Sequence, residues 1–279
     1  MAGFEWKPGE TGFVAVGDMS LEATCFGPPP NNAPTIVLLH EGLGCVALWR
    51  DFPQRLSAET GYGVFAYSRA GYGQSSPCTL PRPLDYMTRE ALDVLPQVLN
   101  GIGFQNGILL GHSDGATIAA IHAGLSGDMH VRGAVLIAPH FFTEPVGLKS
   151  IAAARVQFET GDLREKLARY HSDVECAFRG WNDAWLDPQF VEWNVADAID
   201  HLRVPVLAMQ GRDDAYGTLA QIEEIETRSY APVDVEILEN CGHGPHIEKP
   251  DTTLHLVAEF AARLDRIERQ DTATLALEP

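Results

Sequence analysis

The sequence is short of positive charge. Twenty Lys and Arg stand against 38 Asp and Glu, a net charge of −18 over 279 residues. Such a surface repels phosphate backbones and anionic bilayers, so neither nucleic acid nor a membrane is expected as a partner. No apolar run approaches the length needed to span a bilayer. The segment Met1 to Pro8 lacks a basic start followed by an apolar stretch, so no secretory leader is expected. Cysteine is sparse and unpaired in pattern: Cys25, Cys45, Cys78, Cys176 and Cys241 are scattered, odd in number and without short spacings. Neither a zinc site nor a disulfide framework is implied, which suits a reducing compartment and a cytoplasmic location. Internal repeats and low-complexity segments are absent too. What is present is ordinary for a globular chain, 45% hydrophobic and 21% charged, and long enough for one α/β domain with an insertion.

Taken in order, the chain alternates short apolar runs with helical spacing. Phe13 to Val16 and Leu21 to Phe26 flank a Gly17-Asp18 turn and predict an entry hairpin. Thr35 to Leu39, Gly63 to Tyr67, Ile108 to Leu110, Arg132 to Ala138, Val204 to Gln210 and Val233 to Leu238 read as further strands. The continuous apolar character of Thr35 to Leu39 is that of a strand covered on both faces. Helices are expected over 46–60, 84–99, 218–227 and 251–269, with 270–279 a frayed tail. Strands and helices alternating at this spacing predict βαβ units and a mostly parallel sheet.

From about Phe141 to His201 the rhythm changes. Asp162 to Glu165 resembles a capped helix start, followed by Leu163, Leu167 and Tyr170 at helical spacing. Val174, Phe178, Trp181 and Trp185 continue at i, i+4, i+7 and i+11, with no strand candidate. A helical insertion laid over the sheet is expected.

The chemistry concentrates in Gly111-His112-Ser113-Asp114-Gly115. An apolar strand breaks there into a small-residue helix. Glycines on either side let the backbone turn sharply, push the Ser113 hydroxyl out and leave free N–H groups at a helix start. Further along, Asp213 and Asp214 follow one strand and His243 follows the next. A serine hydroxyl becomes a strong nucleophile when neutral imidazole takes its proton, and a carboxylate fixes that imidazole's tautomer.

Three motifs in this order make the chain resemble the α/β-hydrolase superfamily, in its cap-bearing type that includes carboxylesterases and meta-cleavage C–C hydrolases. The resemblance rests on Gly111 to Gly115, Gly211-Arg212-Asp213-Asp214 and Gly242-His243. His40-Glu41-Gly42-Leu43-Gly44 stands in the oxyanion-loop position and Arg69 to Ser75 forms the family's turn. It implies an α/β-hydrolase fold: a mostly parallel eight-stranded sheet with helices on both faces and a helical cap. Residues 1–140 and 202–279 would form the core, and 141–201 a cap inserted after the sixth strand.

The resemblance also implies roles. Ser113 is the nucleophile, His243 the general acid/base and Asp214 the orienting acid, with Asp213 the fallback. The N–H groups of Gly42 and Asp114 form the oxyanion hole, with the Asp114 side chain turned away from the anion, toward the helix N-terminus. Glu41 replaces the glycine usual after the loop histidine. It either faces the pocket or pairs with an arginine and holds the loop. Leu43, Phe141, Phe142, Trp181 and Trp185 are candidates to line a substrate pocket, although helical spacing also fits simple packing. Cys45 and Cys241 read as bystanders.

The expected activity is hydrolysis of a small carboxylic ester through an acyl-enzyme, with no metal or organic cofactor and the chain a monomer or homodimer. A C–C bond hydrolase, a thioesterase, a lactonase or perhydrolase, and a non-catalytic ligand-binding protein of the same fold are the alternatives.

Overall fold

Apolar runs punctuated by glycine and proline build one eight-stranded sheet in the computed structural model, which describes residues 4–275. The strands are β1 (Thr11–Val16), β2 (Met19–Phe26), β3 (Thr35–Leu39), β4 (Gly63–Tyr67), β5 (Gly107–His112), β6 (Val131–Ile137), β7 (Val206–Gly211) and β8 (Val233–Leu238). Their order across the sheet is β1-β2-β4-β3-β5-β6-β7-β8. β1 and β2 form the expected hairpin around Gly17-Asp18, and β2 joins β4 antiparallel; all other pairs are parallel.

Side chains alternate between two cores, as the two-residue period of a strand requires. Ile36 and Leu38 of β3 face Phe52 and Leu56 of α1 (Phe52–Thr60) and Val257, Phe260 and Leu264 of the last helix. Val37 and Leu39 face the opposite core. That core includes Val98 and Leu99 from a helical stretch made of α2 (Tyr86–Arg89), a π turn (Glu90–Val94) and α3 (Leu95–Gly101). Ile118 and Ile121 of α4 (Asp114–Leu125) lie on the same side. Between β6 and β7 the chain forms α5 (Pro145–Thr160), α6 (Leu163–Leu167) and α7 (Val174–Trp185). Apart from a single bridge, Phe142 to Asn194, this segment has no β pairing among the described residues. That bridge, with Val195 N–H donating to the Phe141 carbonyl at 2.7 Å, closes its two ends together. α8 (Ala220–Arg228), α9 (Pro245–Glu248) and α10 (Pro250–Leu275) complete the chain. No helix among the described residues is long and apolar enough to cross a membrane.

Several boundaries differ from expectation. The helix anticipated over 46–60 is a 3₁₀ turn (Val46–Trp49), a left-handed Arg50 at φ 54°, and then α1. Pro53 is the cause: it has no N–H to donate and clashes with the carbonyl four residues back, so it is tolerated only in a first turn. Pro96 likewise sits just after the π turn, where the regular ladder loses a donor. Asp162 makes no capping hydrogen bond and pairs instead with Lys166, and α6 ends at Leu167, short of a half-exposed Tyr170. The working cap in this region is Asp173, which accepts from Cys176 N–H at 2.9 Å. Backbone that was expected to fray continues as α10 to Leu275; the rest of the anticipated tail, 276–279, lies outside the described residues.

Candidate active site

β5 runs straight into Ser113, which stands at φ 54°, ψ −120° before α4. This conformation costs an ordinary residue about 1–3 kcal/mol and persists only where surrounding packing enforces it. The enforcement is visible at the two glycines. A Cβ on Gly111 would lie 2.1 Å from the Gly115 carbonyl oxygen, and one on Gly115 would lie 2.0 Å from that of Leu39. Only glycine lets β3, the turn and α4 approach so closely. The Ser113 side chain makes no capping bond to the helix it starts.

Asp214 and His243 come from the ends of β7 and β8. His243 Nδ1 lies 2.9 Å from both Asp214 carboxylate oxygens, so Nδ1–H is shared between them and Nε2 is left to accept a proton. Burial works against the Asp214 charge. The bonds from His243 and from Tyr216 N–H (2.8 Å) outweigh it and hold the carboxyl below its ordinary range. Among the described residues the neighbouring Asp213 has only a backbone bond, from its N–H to the Cys241 carbonyl.

Histidines cluster around His243. The ring of His112, the residue before Ser113, lies 4.9 Å from that of His243, and its Nε2–H donates to the His243 carbonyl at 2.8 Å. The turn bearing Ser113 thus grips the loop bearing His243 by its main chain. His140 and His246 pack on the same cluster, 5.7 Å from His243 and 4.7 Å from His112. Burial pushes His140 down to about 4 and His246 to about 3, and the neighbouring imidazoles add to both shifts. Tyr216 covers His243 at 4.8 Å.

The His40 loop is braced by Arg69. Buried His40 donates from Nδ1 to the Glu41 carbonyl at 2.7 Å and accepts from Arg69 N–H at 3.0 Å. Burial and the adjacent Arg69 guanidinium keep it neutral by pushing its pKa well down. The Arg69 guanidinium in turn donates to the carbonyls of His40 and Glu41. The N–H groups of Gly42 and Asp114 find no acceptor among the described residues.

The carboxylate of Glu41 does not pair with an arginine; that guanidinium takes only its main-chain carbonyl. Instead Glu41 Oε2 lies 3.6 Å from His112 Nδ1. Burial opposes its charge, yet the contact with His112 more than offsets this and holds the carboxyl well below the usual range.

The Asp114 side chain is turned from the helix axis rather than capping it. It accepts from the Tyr86 hydroxyl, and Arg69 Nη2 stands 4.0 Å away. Tyr86 also accepts from Trp185 Nε1–H at 3.0 Å. Burial raises the Asp114 pKa, against the pull of Arg69 and Tyr86.

Of the pocket candidates, Phe141 is fully buried with its N–H on Gln221, and Leu43 is tied through its carbonyl to His171 Nε2 at 3.0 Å. Phe142 is partly buried at the closing bridge. Trp185 belongs to the Tyr86 network and stands edge-on to His140. Trp181 alone reaches the His40 loop: a Cβ on Gly42 would lie 2.2 Å from its Nε1. Cys45 and Cys241 are buried thiols pushed up to about 12 and about 11, poor nucleophiles at neutral pH. Tyr86, His140 and Tyr216 carry no local motif. Their roles come from contacts across the fold, and only the positions of Tyr216 and His140, shortly after strand ends, could have marked them.

The model of the Alpha/beta hydrolase family matches residues 36–256. Among curated proteins, the chain is similar to Epoxide hydrolase 3 of Xenopus tropicalis, 22% identical over 93% of this chain and 83% of the other. Among solved structures it resembles a carboxylesterase of the thaumarchaeon Nitrososphaera gargenis, with 19% identity, a TM-score of 0.73 and 91% and 99% of the two chains covered. It also resembles the enol-lactonase of Burkholderia xenovorans LB400, with 19% identity, a TM-score of 0.69 and 90% and 100% covered. On the family model matched over most of its length and on the sheet it folds into, the chain is a hydrolase belonging to the alpha/beta hydrolase family.

Proposed function

We propose that this hydrolase is a serine esterase that cleaves a small carboxylic ester through an acyl-enzyme. The observation that carries the proposal is the bond from His243 Nδ1 to both oxygens of Asp214, on a loop tied by His112 to the turn that holds Ser113 at positive φ. Asp214 fixes the tautomer of His243, whose free Nε2 takes the Ser113 proton as the oxygen attacks the ester carbonyl. The unpaired N–H groups of Gly42 and Asp114 stabilise the oxyanion that forms. His243 then delivers the proton to the leaving alcohol, and water deacylates Ser113 by the same path. Residues 141–201 serve as a cap over the site, with His171 bonded to the Leu43 carbonyl of the oxyanion loop and Trp181 packed against Gly42.

The nucleophile also weighs against epoxide opening, despite the names of the curated relatives. A serine oxygen that opened an epoxide would form an ether, which this constellation cannot hydrolyse. A carboxylate nucleophile would form a cleavable ester, but the one adjacent in sequence to Ser113, Asp114, is buried and bonded to Tyr86.

The test is a p-nitrophenyl ester series from acetate to octanoate with wild type and Ser113→Ala in parallel. Ester turnover by the wild type that Ser113→Ala loses by at least about a thousandfold is expected. Turnover that survives in Ser113→Ala refutes the proposal. Labelling of Ser113 by a fluorophosphonate without turnover of any ester would move the reading to C–C bond hydrolysis.

A further inference from the structure

We propose that Cys78 and Cys176 are a reversible oxidation site whose disulfide fastens α7 to the segment that follows β4. The two residues are 98 apart in sequence, yet their sulfurs lie 3.1 Å from one another. Closing a disulfide to about 2 Å needs a movement of about 1 Å, well within side-chain adjustment.

Both thiols are held where they are. Cys176 sits in the first turn of α7, its N–H bonded to Asp173, and its sulfur also points at the Cys78 carbonyl at 3.6 Å. Arg82 Nη2 donates to the Cys78 sulfur at 3.2 Å while bonded to the Ala70 carbonyl at 3.0 Å. The pair packs over Gly71, where a Cβ would lie 2.8 Å from one sulfur and 3.2 Å from the other. Cys25, Cys45 and Cys241 are buried and have no sulfur neighbour among the described residues.

The two sulfurs have different roles. Cys176 is buried and pushed up to about 11, by that burial first and by its bond with Cys78 second. Cys78 is half-buried and carries the guanidinium contact, so it is the sulfur that reacts first. A hydroperoxide is the oxidant. The Cys78 thiolate attacks one peroxide oxygen, the O–O bond breaks and, with one proton taken up, water leaves, giving a sulfenic acid. The Cys176 sulfur then attacks the Cys78 sulfur, and its proton departs with the hydroxyl as a second water. Two thiols and one hydrogen peroxide give one disulfide and two waters. A dithiol reductant returns the pair to thiols.

The location gives the bond a consequence. α7 carries Trp181 against the His40 loop and Trp185 in the bond to Tyr86, which holds Asp114. Cross-linking its first turn to the core restrains the element that bears both.

The experiment treats the reduced full chain with hydrogen peroxide, quenches, and maps thiols by alkylation and peptide mass. Expected are the loss of two hydrogens, a linked peptide containing Cys78 and Cys176, and three alkylatable thiols in place of the five in the sequence. Dithiothreitol should restore all five, and Cys78→Ser or Cys176→Ser should abolish the link. The oxidised wild type should melt several degrees above the reduced form, with no such shift in either variant. Retention of all five thiols, a linkage through another cysteine, or over-oxidation of Cys78 without bridging overturns the proposal. The wild-type peptide map decides the matter even if a variant folds poorly, and it is independent of any ester being turned over.

Discussion

The hydroxyl of Tyr86 joins the proposed oxyanion donor to the helical segment between β6 and β7, which makes Tyr86→Phe the most informative single change. The ring is buried, and its hydroxyl both donates to the Asp114 carboxylate and accepts from Trp185 Nε1–H at 3.0 Å. Phenylalanine keeps the packing and removes one oxygen. The carboxylate then loses a charge-assisted bond worth about 1.5–3 kcal/mol, and the buried Trp185 N–H loses a bond worth about 1 kcal/mol and keeps only the Asp114 carboxyl as a neighbouring acceptor. Arg69, at 4.0 Å, can take up part of the lost interaction. The expected net loss is therefore about 3 kcal/mol, or about 5 °C in Tm at this chain length. Urea unfolding followed by tryptophan fluorescence measures it. In a Trp185→Phe background the same change should cost about 1 kcal/mol less, because the N–H is already gone. A loss under about 0.5 kcal/mol would refute the reasoning, since the hydroxyl would then not be what satisfies Asp114. Esterase kcat should also fall, because Asp114 N–H is carried on the backbone that this bond steadies.

Other expectations follow from the same geometry. Asp214→Asn should lower kcat by about 10³–10⁴ with little change in Tm, since the amide can hold the wrong histidine tautomer; a drop under tenfold in the ester assay would count against the role of Asp214. Gly42→Ala drives a Cβ to 2.2 Å from Trp181 Nε1, so a displaced oxyanion donor and about a hundredfold loss of kcat are expected. Adding Trp181→Phe should restore part of that activity, and no recovery would refute the clash. Acid should destabilise the fold through its buried histidines. His140 at about 4 and His246 at about 3 stay neutral when folded, whereas the unfolded chain protonates them below about pH 6.5. The unfolded state then binds more protons, so stability is full above that pH and falls by about 1.4 kcal/mol per histidine per pH unit as pH drops toward their folded values. Urea midpoints that are equal at pH 7 and pH 5 would contradict this.

The strands and the three motifs were legible in the sequence because each depends on neighbours along the chain. A buried parallel strand must be apolar throughout, as in Thr35 to Leu39, and a sharp strand-to-helix turn must have glycine where backbones nearly touch, as at Gly111 and Gly115. Helix boundaries were less legible where proline intervened, at Pro53 and Pro96, because apolar spacing continues across a break that only the missing N–H enforces. The histidine cluster, the Arg69 brace and the direction of Glu41 toward His112 were decided by tertiary structure alone. So were the Tyr86 bond to Asp114 and the meeting of Cys78 with Cys176, two thiols that the sequence shows as scattered. Each joins residues tens to more than a hundred positions apart, whose hydrogen bonds and ion pairs leave no period or spacing in the chain. Local order is written in the local sequence; the contacts that set charge and orientation exist only once the sheet has brought its strand ends together.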